Sequence, residues 1–380
     1  MSSSVGRPGS AQQINNKVIV ITKGDRTCAG LYVEWCEVIA PIVPGTTDGT
    51  DDLFYRRLRY HAAAMTARST AGVVASFVLL INVAAAQRNV PPVQMAPPGD
   101  SGRRITDDGL LANYFPAQRK GPALLILGGS IGGLSVPTND AAKALQAEGF
   151  SVLHLSYFRG PGQNPRLELI PVDYFATALA WLQRQPEVDP TRLGTIGVSK
   201  GAEAALVVAV RHPELKAVIA ALPSSVVWPG IVWEGTKEKI GSSWSEQGKP
   251  ISHLPHVPYD PSKGGTMADN YAVSLRALPQ HPEAVIPVER IAGRLLLVCG
   301  ELDVEWPSCP MSRQIQERLR GKGRPEATLI AHKNAGHRAF GLPIPAGDPR
   351  LDRDEFKALN VALADGWTKA IEFLKAAMRP

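Results

Sequence analysis

Residues Gly197-Val198-Ser199-Lys200-Gly201 set a serine between two glycines in a G-x-S-x-G pattern. The run Thr195 to Val198 before it is short, apolar and β-branched, and Ala202 to Val210 after it is rich in Ala, Leu and Val with no Gly or Pro. Such a passage predicts a strand turning sharply into a helix, with Ser199 at the turn. A serine held there takes a strained backbone, and glycines two residues away leave room for the approaching helix, so the hydroxyl projects clear of the sheet. The amide of Lys200, at the positive end of that helix, is the first candidate donor to a developing oxyanion. Alone, the pattern is common in a chain with 35 glycines. It becomes chemistry only with a base and an acid.

A serine hydroxyl is a weak nucleophile until an imidazole takes its proton, and the imidazole needs a carboxylate to hold its tautomer and steady its charge. On a strand-turn-helix serine the chain order is Ser, then Asp or Glu, then His. The apolar run Arg294 to Gly300 leads straight into Glu301-Leu302-Asp303, and the run Ala327 to Ala331 leads into His332-Lys333-Asn334-Ala335-Gly336-His337. Asp303 is preferred over Glu301 and Glu305 because it lies far enough past the strand end to turn toward the histidine loop. His337 is preferred over His332 because Ala335-Gly336 gives it an uncrowded approach. His154 falls inside a strand, His212 at a helix end, and His253, His256 and His281 in an irregular insert.

The second oxyanion donor should come from the loop after the first core strand expected here, Gly128-Gly129-Ser130-Ile131-Gly132-Gly133, with Ser130 or Ile131 as the donor. A dinucleotide reading of this loop fails, since its spacing is not G-x-G-x-x-G and no acidic residue ends the second strand. Serine chemistry of this kind calls for no metal or organic cofactor.

Positioning such residues needs a sheet. Strands are expected at Ala123–Leu127, Val152–Leu155, Thr195–Val198, Ala217–Ala221, Arg294–Val298 and Ala327–Ile330. Helices are expected at Ala141–Glu148, Val172–Gln183, Gly201–Arg211, Met311–Leu319 and Asp352–Ala377. Strands alternating with helices predict an α/β fold, a mainly parallel sheet covered on both faces, with Ser199 at the carboxyl edge of a central strand. The interruption from Pro223 to Glu289 holds Trp228, Trp233 and Trp244. It is expected to cap the carboxyl edge and line an apolar substrate pocket.

At 380 residues, 44% apolar and 20% charged, the chain can build a substantial core. Its net charge of +6 is dispersed, with no basic run interleaved with aromatics, so a nucleic-acid surface is not expected. Cys28, Cys36, Cys299 and Cys309 form no C-x-x-C pair and no zinc-finger spacing with histidines, which argues against structural metal. Cys299 reads most simply as a core residue, and export would allow a Cys299–Cys309 disulfide.

Residues 1–64 read as an irregular extension, with a strand-like run at Lys17–Thr22 and an apolar patch at Leu31–Val43. From Met65, one arginine (Arg68), an apolar core from Ala71 to Val83 and the small residues Ala84 to Ala86 reproduce the layout of a secretory signal peptide over 65–86. That layout predicts a start at Met65 and export to a periplasmic or secreted location; if the upstream residues are native, the expectation is cytoplasmic. The apolar core is shorter than the roughly 20 residues of a membrane span. Residues 87–105, rich in Pro, Gly and charge, read as a linker, and the catalytic domain is expected from 106 to 380.

LGGSIGGL, SYFRGPGQNP, IGVSKGAEAAL, IPVERI, GELDVEWPS and NAGH together resemble the C-terminal catalytic domain shared by acyl-CoA thioesterases and bile-acid-CoA:amino-acid N-acyltransferases, a branch of the α/β-hydrolases near the dienelactone hydrolases. The likeness covers about residues 105 to 378. It implies Ser199 as nucleophile, Asp303 as acid and His337 as base, and an acyl-CoA thioester substrate. Members that transfer to amino acids usually carry Cys at the nucleophile position, so Ser199 implies hydrolysis. Animal-type members also carry an N-terminal β-sandwich domain, for which the region before Leu124 is short. Export would remove the enzyme from the CoA pool, and a carboxylic ester is therefore the alternative substrate. A non-catalytic binding protein on the same fold is a third reading, opposed by the complete set of reactive residues.

Overall fold

The computed structural model describes residues 92–379 except 234–238 and 258–263, together with the backbone of four strands nearer the N-terminus. The chain forms two compact units, Met1–Gln87 and Arg88–Pro380. In the first, β1 (Gln12–Ile14), β2 (Val18–Thr22), β3 (Cys36–Pro41) and β4 (Tyr55–Arg59) pair in that order, with neighbours antiparallel. The reading of 1–64 as irregular therefore recovered only β2. Segments such as Tyr55-Arg56-Arg57-Leu58-Arg59 lack an alternating apolar pattern, but a ladder of backbone hydrogen bonds needs none. The segment read as a signal peptide lies outside the described residues.

In the second unit the strands are β5 (Arg103–Ile105), β6 (Leu111–Phe115), β7 (Gly121–Leu127), β8 (Ser151–Ser156), β10 (Val188–Val198), β11 (Leu215–Ala221), β14 (Arg294–Gly300) and β15 (Thr328–His332). They form one sheet in the order β15-β14-β11-β10-β7-β8-β6-β5. The six from β8 to β15 run parallel, while β6 pairs antiparallel with both β8 and β5. All six expected strands are present, mostly a residue or more longer. The two extra strands lie on the edge that sequence reasoning assigned to linker and domain start. Residues from 92 onward are in fact tied to the domain: Ala96 N–H bonds the Leu134 carbonyl at 2.8 Å, the Ala96 carbonyl accepts from Asn113 Nδ2 at 2.9 Å, and Arg103–Ile105 is a sheet strand. Proline and charge disguised the edge, where they are tolerated because one side of the ladder faces no partner.

Two apolar layers cover the sheet. Helices α2 (Val172–Gln183), α3 (Lys200–Ala209) and α5 (Ser308–Gly321) bury Phe175, Leu179, Leu182, Leu206, Ile315 and Leu319 with Leu125, Leu153, Leu193 and Val218. On the other face α1 (Val136–Ala147) and α6 (Asp354–Ala377) bury Ala142, Leu145, Ile371 and Leu374 with Leu124, Ile126, Val152, Ile196 and Ile219. Successive side chains of each strand alternate between these layers, which is why the strands read as unbroken apolar runs. Helix α1 starts five residues before the expected Ala141, opened by Pro137 in its first turn, a start signal that the polar run Thr138-Asn139-Asp140 obscures.

The insert after β11 contains short strands β12 (Trp244–Glu246) and β13 (Lys249–Pro250), with β12 parallel to β9 (Ile170–Pro171), and helix α4 (Met267–Leu275). Helix α4 is held at its start by a reciprocal capping box between Thr266 and Asp269. Its tryptophans divide. Trp228 is fully buried in the packing of the insert and Trp244 in the main core against Tyr157 and Phe175, and Trp233 alone of the three reaches the pocket described below. The expectation that all three line a substrate pocket is thus corrected: large rings with internal partners serve as core.

Candidate active site

Strand β10 ends at Val198, and Ser199 turns the chain with φ 57° and ψ −122° before α3 begins at Lys200. A non-glycine residue in this region is strained, so its neighbours must hold it there. They do so by backbone bonds: Ser199 N–H donates to the Ala221 carbonyl at 2.9 Å, and the Ser199 carbonyl accepts from Ala202 at 2.8 Å. A Cβ on Gly197 would lie 1.9 Å from the Gly201 carbonyl oxygen, and one on Gly201 would lie 2.3 Å from that of Leu127. Neither position admits any side chain.

The residues expected from sequence as acid and base arrive from two neighbouring strands. β14 delivers Asp303 and β15 delivers His337. His337 Nε2 lies 2.8 Å from Ser199 Oγ, and His337 Nδ1 lies 3.0 and 2.9 Å from the two Asp303 carboxylate oxygens. Asp303 is almost fully buried, with 2% side-chain exposure, and its remaining acceptor sites are filled. The backbone N–H groups of Glu305 and Trp306 donate to Oδ1 at 3.0 and 3.2 Å, and Ser308 Oγ donates to Oδ2 at 2.6 Å. A carboxylate so bonded is fixed in one orientation, suited to holding an imidazole.

The alternatives lie elsewhere. Glu301 is ion-paired to Arg313, and His332 ends β15 beside Gly366 with its Nε2 buried and its pKa lowered by desolvation. Glu305 is exposed at the pocket mouth, 3.5 Å from His337 Nε2. His154 is fully buried within β8.

In front of Ser199 lies a pocket of about 360 Å³ lined by the Gly128–Gly133 loop, Tyr157, Trp233, Glu305, His337 and Arg338. Gly129, not singled out from sequence, is the loop residue against the serine: a Cβ there would be 3.5 Å from Ser199 Cβ and 4.0 Å from Oγ. The loop's carbonyls are engaged, Gly128 by Tyr157 Oη (2.7 Å), Ser130 by Trp233 Nε1 (3.2 Å) and Ile131 by Arg159 (2.7 Å). Gly132 and Gly133 N–H donate to Gly129 and Phe158 carbonyls. Ser130 and Ile131 keep N–H groups without a partner among the described residues, and Lys200, as the first helical residue, has no intrahelical acceptor for its own. The loop lines the same pocket as Ser199 and the helix start follows it directly, a setting suited to stabilising a tetrahedral oxyanion.

Counted along the chain, the eight strands of the large sheet stand in the order 1-2-4-3-5-6-7-8 with the second antiparallel and the serine after the fifth. That order and that turn define the α/β-hydrolase fold. Residues 170–343 match the family model described as BAAT / Acyl-CoA thioester hydrolase C terminal. The chain is 28% identical over 292 residues to acyl-coenzyme A thioesterase 6 of Mus musculus, covering 73% of this chain and 65% of that protein. It is 26% identical over 293 residues to acyl-coenzyme A thioesterase 1 of Homo sapiens, with coverage of 73% and 65%. Among solved structures it resembles the Pyrococcus furiosus esterase Pf2001, with TM-score 0.47, 16% identity and coverage of 76% and 99%. The chain spans from 51 to 65% of the length of the first curated relatives it matches.

Proposed function

We propose that the protein hydrolyses acyl thioesters of the acyl-CoA type through Ser199, His337 and Asp303. The 2.8 Å contact between His337 Nε2 and Ser199 Oγ carries this reading. His337 takes the hydroxyl proton as Ser199 attacks the thioester carbonyl, and the N–H groups of Lys200 and of Ser130 or Ile131 hold the oxyanion. The tetrahedral intermediate expels the thiol, which receives the proton from His337, leaving an acyl-serine. Water, deprotonated by His337, then releases the carboxylic acid. Asp303 keeps Nδ1 protonated and offsets the imidazolium charge in both halves. Similarity to proteins named acyl-coenzyme A thioesterases supports the thioester.

The second reading is an exported carboxylic ester hydrolase. The Cys299–Cys309 disulfide favours it, since such bonds persist in oxidising compartments, away from cytosolic CoA. Purified chain and its Ser199→Ala variant, assayed against acyl-CoA and p-nitrophenyl acyl esters, decide between them. Loss of about 10⁴-fold in the variant is expected. Undiminished turnover would remove Ser199 from the reaction, and wild-type turnover of esters alone would select the second reading. Sequencing the N-terminus of the native protein tests export, for which a start at Gln87 is the expected result.

A further inference from the structure

Glu203 lies four residues after Ser199 in the first turns of α3 and is wholly inaccessible to solvent. Its carboxylate gathers three donors: Lys200 Nζ at 2.8 Å, the backbone N–H of Trp228 at 3.1 Å and the indole Nε1 of Trp244 at 2.8 Å. Lys200 is buried as well, with its ammonium 5.7 Å from the Trp244 ring centroid. Burial pushes the Glu203 pKa up and the Lys200 pKa down, and each charge opposes the other's shift. Stability alone does not explain such a pair, because well-packed apolar side chains commonly replace buried ion pairs without loss.

What the carboxylate touches leads toward the reacting groups by three routes. Lys200 carries the N–H next to Ser199. From Trp228 a column of rings runs through Tyr271 (centroids 4.7 Å) and Trp306 (6.0 Å) to His337 (5.9 Å). From Trp244 a second contact runs to Tyr157 (6.0 Å), whose hydroxyl donates to the Gly128 carbonyl at the root of the glycine loop.

We propose that Glu203 is a positioning residue, which pins the insert to the start of α3 and thereby aligns the Lys200 amide, the glycine loop and the His337 ring around Ser199. The proposal rests on the serine-hydrolase reading above. Small misplacements of reacting groups cost rate far more than they cost binding. Glu203→Ala should therefore lower kcat about tenfold or more with KM changed less than about threefold, while Glu203→Gln, which still accepts from Trp228 and Trp244, retains most of the rate. The imidazole N–H proton that His337 shares with Asp303 should shift in the NMR spectrum of Glu203→Ala and stay in place in Glu203→Gln. Wild-type kcat in folded Glu203→Ala, a loss confined to KM, or a Gln variant as slow as the Ala variant would each overturn the proposal. If Glu203→Ala does not fold, Tyr271→Leu and Trp244→Phe take its place: a kcat loss in both is expected, and wild-type kcat in both overturns it. Fluorophosphonate labelling of the wild type separates the two failures. An unlabelled, inactive wild type removes the serine reading and this proposal with it, whereas a labelled wild type with indifferent variants removes this proposal alone.

Discussion

Cys299, the penultimate residue of β14, is disulfide-bonded to Cys309, the second residue of α5, at a sequence separation of 10 with Cα atoms 5.1 Å apart. The short loop closed by that bond contains Asp303, Glu305, Trp306 and Ser308. Of these, Asp303 holds His337 and Ser308 holds Asp303. Both cysteines are buried, so the bond stands inside the frame of the acid loop.

Opening this bond frees the loop in the unfolded chain and loosens it in the folded one. Closure of a loop of this length contributes about 2–3 kcal/mol on a chain-entropy basis. The Cys299→Ala/Cys309→Ala variant should melt roughly 5 °C lower or more by calorimetry, with kcat reduced more than KM. Equal melting temperature and equal kcat would show that the loop is held by its hydrogen bonds alone.

The bonds around Asp303 separate charge from orientation. Asp303→Asn preserves shape but presents a donor to Nδ1 and selects the wrong imidazole tautomer, for an expected loss of about 10⁴-fold in kcat. Ser308→Ala leaves the carboxylate with its two backbone donors and His337, so a loss of only about tenfold is expected. Steady-state kinetics of the two variants check this order, and equal losses would contradict it.

Gly201 and Gly129 both border Ser199 but differ in what a methyl would meet. At Gly201 it would overlap the Leu127 and Gly128 carbonyl oxygens at 2.3 and 2.4 Å, so Gly201→Ala should yield little folded protein. At Gly129 the nearest atoms are 3.4 and 3.5 Å away, ordinary contact at the low end, so Gly129→Ala should fold with a melting temperature near wild type. Its methyl would occupy space in front of the serine, and a fall in kcat/KM of about tenfold or more is expected. A Gly201→Ala variant as soluble and active as wild type would refute the steric account of the G-x-S-x-G glycines.

The three candidate residues that the structure brings within hydrogen-bond distance of one another could be picked out because each follows a buried strand whose apolar run ends abruptly, at Val198, Gly300 and His332. Strands β5 and β6 were not legible, since Arg103-Arg104 and the Pro- and Gly-rich flanks describe an edge as well as they describe a linker. Glu203 gave no signal either: an acidic residue in a first helical turn is ordinary, and its meaning comes from Trp228 and Trp244, far along the chain. The tryptophans of the insert likewise could not be sorted into core and pocket from spacing, because packing partners across the fold decide that.

His154, in the middle of β8, is completely buried, and neither ring nitrogen has a hydrogen-bond partner among the described residues. Burial, with the Arg104 charge as a smaller cause, pushes its pKa from the ordinary 6.5 to about 3. In the unfolded chain the ring takes up a proton near pH 6.5 that the folded protein refuses until about pH 3. Folding stability from this group is therefore complete above about pH 6.5 and is lost progressively as pH falls toward 3. At pH 5 the loss from this residue is about 2 kcal/mol relative to pH 7.5. His154→Leu removes the titrating ring while keeping a side chain of similar size in the buried site. Urea midpoints at pH 7.5 and pH 5 should therefore fall by a smaller amount in His154→Leu than in the wild type, by about that difference in free energy. Parallel falls in the two proteins would mean that the ring is protonated in the folded state, in contact with an acceptor that burial has not removed.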